Sequence, residues 1–496
     1  MSAQVNIVVH PEVRLHFISR YLYGHFAEHL GRCIYGGIWV GPESRIENEC
    51  GIRTDTAGAL QKLALPVLRW PGGCFADTYH WQDGIGPLHQ RPKRTNLWWN
   101  QSESNHFGTD EFMRCCRMIG AEPYICLNVG SGTVEEARAW VEYCNGVQDT
   151  ALVKLRRENG HPDPYTVQFW GIGNENWGCG GAMQPEYYAD LYRRFATFVR
   201  KTAGEQAKLI ACGSHQGIPE WDNRLLDSLK GARHSVDYIA LHIYSGQGSS
   251  DIHFADEDYY ALISAIDVMD QNIKRAAGLT QAYSTADHCI GVVLDEWGTW
   301  YREATVLNGL YQQNTMRDAL FTAASFHCFH QHGARLYMTN MAQTINVLQA
   351  LVLTKGPEMI VTPTYHIYDM FRPHRDGYLV ASDVDCPRIK VTEDKNRPAV
   401  SVSATIAADD QELFLSLVNL DLERPFTANL KIVAEQAWRI KQVRQLAGDD
   451  IRSHNSLEEP KKVWPAEIEL ENTEIQQALC LPRQSVTTIK MGLERI

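Results

Sequence analysis

The sequence predicts an α/β fold in which a (β/α)8 TIM barrel is followed by a C-terminal β-sandwich. Two observations predict it. Up to about residue 375, strand-length runs of almost purely apolar residues alternate with longer amphipathic stretches. After about residue 380, short segments that alternate apolar and polar residues follow one another with few helix-like stretches. Buried parallel strands are continuously apolar and half-buried strands alternate, so the barrel comes first and the sandwich second.

The predicted barrel strands are short, apolar and end in polar, glycine or aromatic residues; they lie at 21–26, 66–70, 124–129, 167–173, 209–213, 238–243 and 291–295. Helix-like stretches lie between them, at 111–118, 134–144 and 185–201, and the last has Pro and Glu in its first turn. Repeated strand–helix units over roughly 350 residues fit a (β/α)8 barrel with insertions, for which ~250 residues is typical. A doubly wound parallel sheet is the alternative.

The C-terminal region has the pattern of a β-sandwich. Segments 400–406, 413–418 and 485–489 are short strand candidates separated by turns. Segment 5–9 is also strand-like, and we expect it to pair with the sandwich because chain ends are often tied together. The expected division is an N-terminal strand segment at 1–16, a barrel at 17–380 and the β-sandwich at 381–496.

The composition excludes several classes of protein. Hydrophobic residues make up 44% of the chain and charged residues 21%, an ordinary globular balance. The net charge of −12 argues against nucleic acid as a partner, because attraction to phosphate needs concentrated positive charge. No run approaches the ~20 apolar residues of a membrane helix and no secretory signal is recognisable, so we expect no membrane partner and a cytoplasmic location. The 13 cysteines include no Cys-x-x-Cys spacing, and most are expected to be reduced and buried.

Glu175 lies in the segment GIGNENWG, directly after a predicted strand. The glycines suggest a phosphate-binding loop, but their spacing is not G-x-G-x-x-G and a carboxylate would repel a phosphate. A better interpretation places Asn174 and Glu175 at the carboxyl end of a barrel strand, where barrel enzymes carry their chemistry. The structural alternative is that Glu175 caps the next helix.

Glu296 repeats this arrangement in the segment LDEWGTW, again after an apolar run. Two carboxylates at the mouths of different strands suit glycoside cleavage, because one must give a proton to the leaving oxygen and the other must attack C1 or activate water. Arg69, His242 and Tyr244 end other predicted strands and are candidates for the same site. The alternative for His242 is a satisfied core histidine.

His25, Glu28 and His29 match H-x-x-E-H, the pattern of inverted zinc peptidases. On a helix the two histidines would share one face and could bind zinc. The segment 21–26 predicts a strand instead, which would hold the histidines roughly 13 Å apart. We therefore expect no zinc peptidase.

A second group of potential metal ligands lies further along the chain, and it comprises His327, Cys328, His330 and His332. These residues fall in a helix-like stretch of mixed character. We interpret them as packing or surface residues, and no metal is expected.

Five segments together resemble the intracellular α-L-arabinofuranosidases of glycoside hydrolase family 51. In chain order they are GHFAEHLGRCIYGG, VLRWPGGCFADTYHW, NVGSGTVEEA, WGIGNENWGCGG and LDEWGTWY. The resemblance spans nearly the whole chain. It implies a (β/α)8 barrel with a jelly-roll-like C-terminal sandwich, retention of anomeric configuration, no cofactor or metal, and a homo-oligomer that is commonly a hexamer.

The resemblance also implies the roles of individual residues. It assigns Glu175 as the general acid/base and Glu296 as the nucleophile. The residues implied to bind the sugar or to support these two carboxylates are Glu28, Arg69, Cys74, Trp99, Asn174, His242, Tyr244, Trp300 and Gln349.

The resemblance implies different roles for the residues of this set. Glu28, Asn174 and Gln349 are implied to hydrogen-bond the arabinose hydroxyls. Arg69 and Tyr244 are expected beside the nucleophile, and His242 is expected to help place the acid/base. Trp99 and Trp300 are expected to form aromatic walls of the cleft.

Position 74 departs from part of the family. Some relatives carry Asn there, and this chain has Cys74. A thiol is a weaker hydrogen-bond donor than an amide. The departure leaves open how the sugar is contacted at this position.

These observations predict a retaining, exo-acting α-L-arabinofuranosidase that releases terminal arabinofuranosyl units from a carbohydrate substrate by double displacement. Its two catalytic carboxyl groups should lie about 5–5.5 Å apart. An endo-glucanase or a xylosidase on the same fold is one alternative, since fold and carboxylate pair do not determine the sugar. A non-catalytic carbohydrate binder is another, although it would not need two acidic motifs. Arabinan, arabinoxylan and short oligosaccharides all remain open as natural substrates.

Overall fold

Eight parallel strands close into a barrel in the computed structural model, which describes residues 3–470 and 478–494. In chain order they are Gly24–Phe26, Val67–Trp70, Glu122–Leu127, Phe169–Ile172, Lys208–Ala211, Tyr238–Ser245, Gly291–Thr299 and Leu336–Ala342. Each strand pairs with the next along the chain, and the eighth pairs back with the first. The predicted (β/α)8 barrel is confirmed, and closure excludes the doubly wound sheet.

The eighth strand, Leu336–Ala342, is the barrel strand that the hydrophobic pattern does not predict. It carries Thr339 and Asn340 among its apolar residues, so it is not a continuous apolar run. Both polar side chains donate a hydrogen bond inside the protein: the Thr339 hydroxyl donates to the Leu22 carbonyl, and the Asn340 amide donates to Asp295. Polar residues that have dedicated partners therefore interrupt the apolar run at this strand.

The interior of the barrel is filled by side chains from its strands. Seven of the eight strands contribute one residue each to a single buried cluster: Val67, Tyr124, Phe169, Ile210, Ala240, Val293 and Met338. A packed interior leaves no central pore. Chemistry is therefore confined to the ends of the strands, as is usual for this fold.

The α-helices begin and end at Thr54–Lys62, Thr109–Ile119, Val134–Asn145, Ala151–Glu158, Pro185–Ala203, Glu220–Ser228, Asp256–Tyr283, Met316–Gln331 and Pro363–Phe371. Helix Pro185–Ala203 shows why they form. Pro occupies its first turn and arginine and lysine its last, which suits the helix dipole. Its buried face includes Tyr188, Tyr192, Phe195 and Val199, spaced three or four residues apart, so the helix packs one apolar stripe onto the barrel.

A nine-stranded sheet forms the C-terminal region, and the predicted β-sandwich that follows the barrel is confirmed. Its strands, in spatial order, are Ala466–Glu467, Trp438–Ala447, Ser485–Leu493, Glu412–Asn419, Val400–Ile406, Tyr378–Asp385, Ala3–Phe17, Phe426–Ile432 and Leu479–Leu481. Ala3–Phe17 pairs antiparallel with Tyr378–Asp385 and parallel with Phe426–Ile432. The N-terminal strand thus lies inside this sheet, while the domain limits at residues 16 and 380 stay predictions.

In the described residues the loops also form four two-stranded sheets: Asn48–Glu49 with Ile52–Arg53, Arg94–Asn96 with Gln101–Glu103, Val352–Lys355 with Glu358–Val361, and Arg388–Thr392 with Lys395–Pro398. Within the described ranges, none of the helices combines the length and the apolar character that crossing a bilayer requires.

Helix Met316–Gln331 joins the barrel to the sheet. Two of its histidines are buried at this contact and bond to hydroxyls of the sheet. His327 reaches Ser401 at 2.7 Å and Ser416 at 2.8 Å, and His330 reaches Ser403 at 2.8 Å. Both histidines are therefore packing residues.

Candidate active site

Glu175 and Glu296 meet at the carboxyl end of the barrel. Glu175 follows the fourth barrel strand, and Glu296 lies within the seventh, next to His242 on the sixth. One carboxylate oxygen of Glu175 lies within 4.8 Å of one from Glu296. The structure therefore brings the two acidic motifs into a single site, although more than a hundred residues separate them in the chain.

Glu296 is held by two hydrogen-bond donors. The buried Arg69 guanidinium donates to its Oε1 at 2.9 Å, and the Tyr244 phenol donates to its Oε2 at 2.8 Å. Arg69 also lies 3.1 Å from Asp295. Burial alone would lower the pKa of Arg69, but the carboxylates of Asp295 and Glu296 hold it well above its usual value. Arg69 is therefore a permanent cation at the base of the site.

Glu175 has a different environment. His242 Nδ1 lies 2.8 Å from its Oε1 and 3.5 Å from Glu296 Oε2, so this imidazole sits between the two carboxylates. Burial opposes charge on His242, but Glu296 and Glu175 together raise its pKa. The backbone of Glu175 has a φ of 43°, in the left-handed region. Such a backbone conformation needs support from the surrounding loops.

Cys74 and Cys179 form a disulfide, which we call the active-site disulfide, with 5.6 Å between their Cα atoms. The expectation of a free thiol at Cys74 is therefore wrong, and this side chain has no proton to donate to a sugar. The two sulfur atoms lie 3.7 and 3.4 Å from Glu175 Oε2. The bridge ties the loop after the second barrel strand to the loop that carries Glu175.

Glu28 is a third carboxylate in the cleft. Its Oε1 accepts from the Phe75 backbone at 3.1 Å and from the Trp99 indole at 2.9 Å. Its Oε2 accepts from Gln343 at 2.9 Å. Burial, with a contribution from the charge of Glu296, raises the pKa of Glu28 to about 7.

Glycine is required where the second strand's loop passes these carboxylates. Gly72 has a φ of 147°, and a Cβ placed there would lie 2.3 Å from the Glu28 side chain. At Gly73, a Cβ would lie 3.1 Å from both Glu28 and Glu296. The Pro-Gly-Gly turn thus lets the backbone run directly beside the carboxylates.

Gln349 is not placed to bind a sugar, which corrects the expectation for this residue. It is fully buried, its Oε1 accepts from Thr299 N, and its Nε2 donates to Thr322 Oγ1 at 2.7 Å. Its polar atoms are therefore already bonded inside the protein. Gln343, which the sequence interpretation overlooked, is the glutamine that reaches Glu28.

The remaining expected residues lie around the same cleft. Asn174 accepts a hydrogen bond from Arg69 at 2.5 Å, so it shares with Glu296 the same guanidinium donor. The half-buried ring of Trp300 packs edge-on against Tyr244, with centroids 5.3 Å apart. Trp99 is half-buried beside Glu28. The roles of all these side chains toward substrate stay predictions.

Asp77 is a further residue that sequence patterns did not single out. It is buried and accepts four hydrogen bonds: from the backbone of Val129 at 2.6 Å, Gly130 at 2.7 Å and Asn174 at 2.8 Å, and from the Asn176 amide at 3.0 Å. One carboxylate therefore joins the loops that follow the second, third and fourth barrel strands. Asp77 follows the Pro71-Gly72-Gly73-Cys74 turn, but the sequence does not show which loops its carboxylate contacts.

The H-x-x-E-H histidines do not share a metal site. His25 lies in the first barrel strand, is fully buried with neither ring nitrogen bonded, and has its pKa lowered to about 3 by burial. His29 instead lies 2.8 Å from Glu103 and accepts from the Trp70 indole at 3.1 Å. With the two rings in separate environments, the zinc-peptidase alternative fails.

Comparison with known proteins gives one consistent result. Family models described as α-L-arabinofuranosidase 1 domain and α-L-arabinofuranosidase C-terminal domain match residues 59–261 and 295–485. The chain is 41% identical to an intracellular exo-α-L-arabinofuranosidase of Bacteroides ovatus, over 99% of this chain and 96% of that protein.

Solved structures agree with the sequence comparison. The crystal structure of the GH51 arabinofuranosidase from Xanthomonas axonopodis pv. citri superposes with a TM-score of 0.92 at 36% identity, covering 99% of this chain and 100% of that one. An α-L-arabinofuranosidase from Thermotoga maritima, solved as an arabinose complex, gives 0.87 at 33% identity, covering 98% and 99%.

Proposed function

The chain belongs to the α-L-arabinofuranosidases of glycoside hydrolase family 51, and we propose that it releases terminal α-L-arabinofuranosyl units with retention of anomeric configuration. The observation that carries the mechanism is the short distance between its two carboxylates, with oxygens of Glu175 and Glu296 within 4.8 Å of each other. Retaining glycosidases hold their pair about 5–5.5 Å apart, whereas inverting enzymes need about 6.5–9.5 Å to admit a water.

In the first half of the proposed reaction Glu296 attacks C1 of the arabinosyl unit. A bond forms between its carboxylate oxygen and C1 while the bond from C1 to the leaving oxygen breaks. Glu175 gives its proton to that oxygen. Arg69 and Tyr244 hold the attacking carboxylate by hydrogen bonds, which fixes its direction.

In the second half a water molecule replaces the departed group. Glu175 removes a proton from this water, the resulting hydroxide attacks C1, and the bond to Glu296 breaks. His242 lies 2.8 Å from Glu175. We assign His242 the task of keeping that carboxylate in one orientation while its protonation changes.

The first test uses the two carboxylate variants with aryl arabinofuranosides of graded leaving-group quality. Glu296→Ala should abolish turnover of all of them. Glu175→Ala should lose about 10²–10⁴-fold with poor leaving groups, the usual contribution of general acid catalysis, and far less with groups that need no proton. An equal response of the two variants to leaving-group quality would contradict the assignment.

The second test addresses sugar and stereochemistry. Wild-type protein should hydrolyse an aryl arabinofuranoside and leave the matched xylopyranoside and glucopyranoside largely intact. Proton NMR of the first product should show the same anomer as the substrate. Preference for another sugar would overturn the proposed substrate, and an inverted product would overturn double displacement.

We also propose that the enzyme acts inside the cell on short oligosaccharides and assembles as a homo-oligomer, a hexamer by family resemblance. The Bacteroides ovatus relative is named intracellular, which supports the proposed location. Light scattering on the purified chain tests the assembly. Cell fractionation tests the location, and a secreted protein would contradict it.

A further inference from the structure

Three potential metal ligands of different chemistry meet outside the barrel, between helices Asp256–Tyr283 and Met316–Gln331. Asp270 lies on the first helix, Cys328 in the last turn of the second, and His332 directly after it. One ligand atom from each lies within 4.8 Å of the other two, and His332 Nε2 is 2.8 Å from Asp270 Oδ1. None of the three contributes to the active site described above.

Helical spacing explains why only two of the four residues His327, Cys328, His330 and His332 face this cluster. Cys328 and His332 are four residues apart, so they lie on one face of the final turn. His327 and His330 point to the opposite side, where they bond to serines of the sheet. These bonds support the interpretation of His327 and His330 as packing residues, whereas Cys328 and His332 lie beside Asp270 of the neighbouring helix.

We propose that Asp270, Cys328 and His332 form a zinc site whose fourth ligand is water. Zinc prefers thiolate, imidazole and carboxylate in tetrahedral geometry, at metal–ligand distances of about 2.0–2.3 Å. Ligand atoms of such a site lie about 3.3–3.7 Å apart. The three ligand atoms here lie within 4.8 Å of one another, and binding would have to widen the 2.8 Å between His332 Nε2 and Asp270 Oδ1 to that spacing. A thiolate ligand disfavours magnesium and calcium, which take oxygen.

Asp270 is paired with Lys274 as well as with His332. Zinc binds cysteine as a thiolate, so coordination at this cluster would release the Cys328 thiol proton to solvent.

A metal ion could reach the cluster from solvent. The Asp270 side chain is 32% exposed and that of His332 11%, so the cluster opens to solvent on one side. Lys274 bonds the second carboxylate oxygen, Oδ2, at 2.7 Å. It can stay there while Oδ1 turns from His332 to the metal.

Cobalt binding to the full-length protein, freed of metal and kept in thiol-free buffer, tests the site. Cobalt takes the same ligands as zinc, and a thiolate ligand adds a near-ultraviolet charge-transfer band. We expect one equivalent to give this band and zinc to displace it. Cys328→Ser should abolish the band, and His332→Ala should weaken binding by at least about tenfold. The matched control is Cys386→Ser, which removes another half-buried cysteine.

Two results would overturn the proposal: no thiolate band in the wild-type protein, or a band that survives in Cys328→Ser. Cobalt bound at the carboxylates of the active site gives no thiolate band and is thereby distinguished. If the Cys328 variant fails to fold, alkylation of the wild-type protein replaces it. Zinc should then protect Cys328 from iodoacetamide at least about tenfold while Cys386 reacts unchanged, and equal labelling of Cys328 with and without zinc would contradict the site.

Discussion

Asp77→Asn is the substitution that most directly tests how the acid/base loop is held. In the wild-type protein Oδ1 accepts from Val129 and Gly130, and Oδ2 accepts from Asn174 and Asn176. The amide of asparagine can accept on one side only. Its NH2 group must then face N–H donors on the other side, and each buried donor left unpaired costs about 1–3 kcal/mol.

The consequence for catalysis follows from the position of those donors. Asn174 immediately precedes Glu175, whose φ of 43° is sustained by the loops that Asp77 joins. A displacement of a catalytic group by about 1 Å costs on the order of 10²-fold in rate. We therefore expect kcat/KM to fall by about 10²-fold, or about 2.7 kcal/mol in transition-state stabilisation, for substrates with poor leaving groups.

The assay is the leaving-group series of aryl arabinofuranosides. A misplaced proton donor penalises poor leaving groups most, so the loss should shrink as the leaving group improves. Asp110→Asn is the matched control, because Asp110 is similarly buried but bonds to Tyr143 of helix Val134–Asn145 and to Tyr165 in the segment before the fourth barrel strand. A folded Asp77→Asn protein with an equal loss across the series, or with wild-type rates, would refute the reasoning.

Three further predictions concern other parts of the site. Because its pKa is raised to about 7, Glu28 holds a proton in the folded state that it loses near pH 4.5 in the unfolded state. This group should therefore lower the free energy of unfolding by about 3 kcal/mol as pH rises from 4.5 to 7, and Glu28→Gln should remove that slope in chemical denaturation series. Gln343→Ala should raise KM at least about tenfold. Gln349→Ala should lower Tm and leave KM within about twofold, because the Gln349 amide bonds only to other protein groups. Equal changes in KM would contradict the assignment of Gln343, rather than Gln349, to the cleft. Denatured, unreduced protein should show eleven reactive thiols with Ellman's reagent, and thirteen would mean that the active-site disulfide is absent in solution.

The barrel could be predicted because each of its strands is recognisable from its own short stretch of sequence. A strand buried on both faces must be apolar along its length, and that rule located Tyr238–Ser245 and Gly291–Thr299 within a few residues. Glu175 and Glu296 could be predicted as site residues for the same reason, since each comes at or just after the end of an apolar run. The rule fails at Leu336–Ala342, where Thr339 bonds to a backbone carbonyl.

The overlooked features depend on which loops meet in space. Cys74 and Cys179 are 105 residues apart, and neither segment has a spacing that indicates a partner. Asp77 is recognisable only by donors from two other loops. Gln343 and Gln349 lie six residues apart in an irregular segment without periodicity, so the path of the backbone alone decides which of them reaches the cleft.

The two carboxylates that we propose as catalytic differ in their partners in a way that matches the different roles proposed for them. Glu296 accepts hydrogen bonds from a guanidinium and a phenol, both of which act there as donors. Such partners favour a group that attacks as a carboxylate. Glu175 contacts a histidine on one oxygen and disulfide sulfur on the other, and sulfur without a hydrogen donates nothing. A carboxyl that must give up a proton and later take one back needs an oxygen that no protein donor holds, and within the described part of the chain the contacts of Glu175 Oε2 are to disulfide sulfur. The active-site disulfide therefore does more than join two loops, because it occupies space beside the proposed acid/base without supplying a competing hydrogen bond.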